Sequence, residues 1–166
     1  MGGRGSLGGG GGGMSSSERK DIMSRLPNAP KEFSMSDAPK LTGTEKQVRW
    51  ANSIRQQIAE DLFSYATTQT SDGKRANLTE TVFGGKNAML KSIQDSPLVS
   101  MTSGTVRQQK IDGAIDGFRD AAARYERATS IVTSHTSASW WIDNRNNVGN
   151  NHGQNKLRKI VDGKRQ

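Results

Sequence analysis

The chain has 166 residues and a formal net charge of +8, with 31% hydrophobic and 5% aromatic residues. That length suits one domain, and the apolar share is low for a globular chain of this size. The lack of cysteine excludes disulfides, thiolate metal sites and a cysteine nucleophile. No apolar run approaches the roughly 20 residues of a membrane span, and the N-terminus lacks the apolar stretch of a signal peptide. A cytoplasmic protein without membrane contact is expected.

The charge is unevenly placed. Residues 1–40 hold six Lys/Arg and four Asp/Glu, residues 41–145 thirteen and eleven, and residues 146–166 five and one. Half of the excess therefore falls in the last stretch. All three Trp and both Tyr fall between 41 and 145, so a core must be built there. Residues 1–40 read as a flexible Gly-, Ser- and Pro-containing tail. Gly8 to Gly13 have no side chains to bury and lose the most entropy on ordering. Residues 1–13 read either as an appended linker, with Met14 as the natural first residue, or as a natural tail. A short helix over 17–25, capped by Ser17 and ended by Pro27, needs docking to form, because Ile22, Met23 and Leu26 cannot hold it alone.

The strongest helical signal covers 42–66. Thr42 and Glu45 suggest a capping box. Val48, Ala51, Ile54, Ile58, Leu62, Tyr65 and Ala66 then fall on one stripe at helical spacing. Trp50 sits at the edge of that stripe. Arg55 sits inside it, where a buried guanidinium needs partners. Residues 67–77 read as a loop. A second helical segment runs 78–94 with a break at Gly84-Gly85, since two glycines cost about 2 kcal/mol of helix propensity. Gly84-Gly85-Lys86 is not a phosphate-binding loop, because Glu80 and Asn87 stand where that motif needs Gly and Ser/Thr. A third helix runs from Ser103 or Thr105 to about Val132, with Val106, Ile111, Ile115, Phe118, Ala122 and Tyr125 inward.

The last element is a short helix over 137–145, with Ser137 as its cap. One of Trp140 and Trp141 is expected to plug the core, burying about 150–250 Å². The other reading makes Trp140 a stacking platform for bases. Asn144 to Asn155 is a linker by composition, and Lys156 to Val161 a transient basic turn. Residues 146–166 thus read as a basic flexible tail. The fold expected is all-α, a three- to four-helix domain over 41–145 between two disordered tails.

Two strings form a pair. The first, Leu41-Thr42-Gly43-Thr44-Glu45-Lys46-Gln47-Val48-Arg49-Trp50-Ala51-Asn52-Ser53-Ile54-Arg55, resembles a helix opening of the form Leu-x-Gly-Ser/Thr-x-Lys-Gln-x-x-Trp-Ala-x-x-Ile-Arg. The second, Ser139-Trp140-Trp141-Ile142-Asp143-Asn144-Arg145, resembles its usual companion. The pair is similar to one carried by small proteins, and pieces of larger ones, from phages, plasmids and integrated elements. The resemblance covers only the two ends of the core. It implies mobile-element biology in a bacterial host cell, with no settled activity. It also implies that the motifs pack together, Trp50 and Ile54 against Trp141 and Ile142, with Arg55 paired to Asp143.

Catalysis lacks a convergent set of groups. The two histidines, His135 and His152, have no metal-ligand spacing, and no cofactor is implied. The leading expectation is a non-catalytic accessory protein that binds nucleic acid, DNA or RNA, or a host nucleoprotein complex. Lys46, Arg49, Arg55, Arg145, Lys156, Arg158 and Lys159 would meet phosphate or partner, with Trp140 stacking. The alternatives are a protein-interaction module that inhibits a host defence complex, and a virion or assembly component.

Overall fold

The computed structural model describes residues 13–71, 74–147 and 156–163. The fold is mostly α. Among the described residues there are helices α1 (Ser16–Arg25), α2 (Glu45–Ala66), α3 (Thr79–Phe83), α4 (Gly85–Gln94), α5 (Pro97–Ser100), α6 (Gly104–Ser134), α7 (Ala138–Asp143) and α8 (Lys156–Val161). The strands among the described residues are β1 (Thr68–Ser71) and β2 (Lys74–Asn77), which pair in a two-stranded sheet. The chain divides into two compact units, Met1–Ala29 with Leu78–Asp120 and Pro30–Asn77 with Ala121–Gln166. Helix α6 contributes residues to both.

In the first unit, α1 lies inside the stretch expected to be a tail, and it packs on α4. Ile22 and Leu26 are buried. Ser15, not Ser17, caps the helix, its hydroxyl accepting from the Glu18 N–H (3.1 Å). Arg107 of α6 donates twice to Glu18 (2.6 and 2.8 Å), and Arg25 donates to Asp112 (2.8 Å). A helix too short to stand alone is thus held by burial and two ion pairs. The break between α3 and α4 falls at the two glycines. Gly85 has φ +86°, and a Cβ on Gly84 would lie 2.6 Å from that of Ala88. Val82, Met89, Ile93, Val99, Ile111 and Ile115 are fully buried.

In the second unit, α2 buries Ala51, Ile54, Ile58, Ala59, Leu62 and Ala66, the inner line of the expected stripe. Its capping box lies two residues later than the sequence suggests. The Thr44 hydroxyl accepts from the Gln47 N–H (3.2 Å), and Gln47 Oε1 accepts from the Thr44 N–H (3.1 Å). Thr42 is committed elsewhere. It forms a parallel bridge with Ser137: the Thr42 N–H donates to Thr136 O (2.7 Å), and the Ala138 N–H donates to Thr42 O (2.9 Å). Ser137 precedes α7 as expected, but its hydroxyl bonds Ser139 Oγ (2.7 Å), not the helix backbone.

Residues 67–77, expected to be a loop, hold the hairpin, paired from Thr68↔Asn77 to Ser71↔Lys74. Phe33, Phe63 and Tyr125 make a tilted aromatic chain, with ring centroids 5.6 and 4.8 Å apart. The Phe33 N–H donates to the Tyr125 hydroxyl (2.9 Å). Helix α8 lies in the stretch expected to be a basic tail, yet it packs on α2 with Leu157 and Val161 buried. Two apolar residues four apart give the turn an inner face, which is why it docks. The expected linker over Asn144 to Asn155 starts with a 3-10 turn at Arg145–Asn147, and its remainder lies outside the described residues.

Candidate nucleic-acid interface

The two motif strings meet in the second unit. Helices α2 and α7 pack together, and the backbone bridge at Thr42 and Ser137 ties their N-terminal ends. Gly43 has φ +144°, and a Cβ there would stand 3.1 Å from Ala138 Cβ. The Leu-x-Gly opening is therefore a docking surface for α7: Leu41 is buried, Thr42 pairs by backbone, and Gly43 leaves room for Ala138. Ile54 and Trp141 are buried as the resemblance implies. Ile142 is half-buried.

Two expectations about this junction are corrected. Arg55 does not pair with Asp143, which is exposed. The Arg55 side chain is buried, and its Nη1 donates to Pro39 O (2.6 Å) and its Nη2 to Asn52 Oδ1 (3.0 Å). Its Nε is buried without a hydrogen-bond partner. Burial pulls the guanidinium down from its usual value, with no carboxylate to hold it up. A guanidinium stays charged even so. Its five donors let a backbone carbonyl and an amide stand in for an acid. Arg55 thus clamps the chain at Pro39 onto α2 and is not presented to a partner.

The second correction concerns Trp50, which is exposed and not packed away as the resemblance implies. Trp140 is stacked by the His135 ring, with centroids 3.6 Å apart and planes within 5°. Its other neighbour is Trp141, edge-on at 4.8 Å. Trp141 is fully buried and its indole N–H donates to His135 O (2.8 Å). Burial pushes the His135 imidazole below its ordinary value, which favours the neutral ring. His135, Trp140 and Trp141 thus form one aromatic group in which Trp141 is buried and Trp140 and His135 are half-buried. Trp50, by contrast, is 52% exposed, and the guanidinium carbon of Arg145 sits 5.6 Å from its ring centroid. That separation is within cation–π range. Arg145 is steadied by donating to Ile142 O at the end of α7 (2.7 Å). Lys46, one helical turn before Trp50, is exposed, and so is Arg49, which pairs with Glu45 (3.3 Å). The position of Trp50 at the edge of the apolar stripe was the signal for its exposure.

The expected basic contacts at the C-terminal end lie apart from this face. Arg158 forms an ion pair with Asp61 (2.5 and 3.1 Å) and lies 4.9 Å over the Tyr65 ring. It is therefore a packing residue, and not a free phosphate contact. The Tyr65 hydroxyl donates to Asp162 (2.6 Å), and burial together with that carboxylate pushes its pKa up to about 12. Lys156 and Lys159 are exposed on α8. Asp61, the α2 partner of Arg158, lies eleven positions after Trp50, or about 16 Å along the helix axis. Among the described residues, no group of three or more His, Asp or Glu is placed to hold a metal ion. No helix among them is long and apolar enough to cross a membrane. No protein-family model, curated protein or solved structure matches this chain.

Proposed function

We propose that the protein is a non-catalytic accessory factor of a phage or mobile element that binds nucleic acid, alone or within a nucleoprotein complex. The contact face is the junction of α2 and α7, with Lys46, Arg49 and Arg145 toward phosphate and Trp50 between them. One observation carries the reading. The unit that holds both motifs has fifteen Lys/Arg against nine Asp/Glu, so six of the chain's eight excess positive charges belong to it. On that unit, a half-exposed Trp lies beneath an Arg and on the same helix face as a Lys. Cations meet the backbone and an aromatic face meets a base, which is the usual division of labour in such contacts.

The test is a fluorescence-anisotropy titration of labelled oligonucleotides at two salt concentrations. Each phosphate contact contributes about −0.7 to −0.9 to the logarithmic salt slope. Lys46→Ala and Arg145→Ala should each weaken binding and flatten the slope by roughly one contact. No binding at low salt refutes the reading.

A second reading has its own observation. Leu98, Met101 and Val106 are exposed on the first unit at 64%, 82% and 50%. A contiguous patch of such side chains would favour a protein partner. This is the interaction-module or assembly-component reading, and it predicts binding that hardly responds to salt.

A further inference from the structure

Resting on the nucleic-acid reading, we infer that the ligand of the α2–α7 face is single-stranded, with one unstacked base lying on the Trp50 indole and its phosphate against Arg145. Trp50 is the most open of the three indoles, 52% exposed, whereas Trp140 is half-buried. His135 covers a face of Trp140, and Trp141 is buried. The guanidinium beside Trp50 is tethered through Ile142 O, so it keeps its place relative to the ring when a ligand arrives.

The other exposed groups on α2 argue against reading of a duplex groove. Base-edge recognition would use free amides, since Asn and Gln bind adenine through both their donor and their acceptor. Asn52 already accepts from Arg55 (3.0 Å) and Gln56 donates to Glu60 (3.2 Å), which leaves the exposed Gln57 as the one uncommitted amide on the Trp50 side of the helix, too few for a base-edge code. Glu45 and Glu60 also place carboxylates on the helix that would have to enter the groove. Within a duplex, both faces of each base are occupied, so stacking on Trp50 would require unstacking a pair. A single strand has free faces and meets this site without that cost. The 2′-hydroxyl has no designated partner here, so the same chemistry serves DNA and RNA, and the two are separated by the probes.

The experiment uses the full chain with fluorescein-labelled oligo-dT, oligo-rU and a mixed-sequence duplex of equal length, titrated at low and moderate salt. The expected result is at least tenfold tighter binding to single strands than to the duplex. Trp50→Ala should lose about ten- to hundredfold of that affinity, the range for one stacked base. Trp50→Phe should recover most of it, and the melting temperatures of both variants should stay near that of the parent. If oligo-dT and oligo-rU bind alike, the shared chemistry stands; a preference for either names the natural source. Equal or tighter binding to the duplex overturns the inference. So does an unchanged Trp50→Ala variant beside a weakened Arg145→Ala variant, although that outcome leaves the nucleic-acid reading in place. No binding to any probe overturns both.

Discussion

Gly43 holds the two motifs together, and replacing it with alanine measures how firmly. Its φ of +144° is a conformation that residues with a Cβ rarely adopt. Residues forced into such regions cost about 1–3 kcal/mol. The new Cβ would also stand 3.1 Å from Ala138 Cβ and 3.2 Å from Gln47 Oε1. Ordinary carbon contacts lie at about 3.5–4.0 Å, so α7 must shift away from the start of α2. The shift strains the two backbone hydrogen bonds that join Thr42 to Thr136 and Ala138, each with a net value of about 0.5–1.5 kcal/mol. The sum for Gly43→Ala is a loss of about 2–4 kcal/mol.

All three Trp belong to the same unit as Gly43. Indole fluorescence in a urea titration therefore reads that unit, and the stability follows from the midpoint and slope. Gly113→Ala, in the first unit, is a control for the glycine-to-alanine change itself and is read by far-UV circular dichroism. Gly113 lies within α6 with open space around its missing Cβ, so the change should stabilise by about 0.5–1 kcal/mol through helix propensity. A Gly43→Ala loss below about 0.5 kcal/mol, the scale of ordinary surface changes, would refute the packing account of the Leu-x-Gly opening.

Three further outcomes are expected. Arg55→Ala should cost about 2–4 kcal/mol, because it strips partners from Pro39 O and Asn52, whereas Asp143→Ala should stay within about 0.5 kcal/mol; equal costs in the urea titration would restore the Arg55–Asp143 pair. Leu157→Ala removes a side chain that is 2% exposed and should cost about 2–3 kcal/mol, and unchanged stability with protease cleavage within 156–163 would show that α8 is not part of the unit. The Arg107 guanidinium holds the Glu18 carboxyl below the usual carboxylate range. A depressed carboxylate contributes stability that is present above its unfolded value and lost as pH falls through the folded one. The parent should therefore exceed Glu18→Gln by about 1–2 kcal/mol at pH 7 and converge with it below about pH 4, read by far-UV circular dichroism; a difference independent of pH would mean that the pair contributes nothing as an ion pair.

The sequence by itself determined where helices run and where they break. The stripe of Ala51, Ile54, Ile58 and Leu62 and the interruption at Gly84-Gly85 are local properties, set by side-chain spacing and by backbone freedom. The bracketing motifs were also legible as neighbours, and α2 does pack on α7. The hairpin over 68–77 was missed because Thr, Ser, Lys and Asn fit a loop as well as an exposed strand, and its pairing leaves no apolar alternation to see.

What only the tertiary structure decided is which partner each ambiguous residue takes. Thr42 does not cap α2, because its hydroxyl as well as its backbone is bonded to the chain before α7. Arg55 meets a carbonyl sixteen residues earlier, not an acid at the far motif. His135 covers one face of the half-buried Trp140, and Arg145 lies over the ring of the exposed Trp50. Basic residues at the C-terminal end read as a free arm until Arg158 is seen paired with Asp61. Periodicity gives the direction of a side chain from its own helix, but burial and pairing depend on what the rest of the chain brings opposite. That depends on contacts far apart in sequence, which no local pattern encodes.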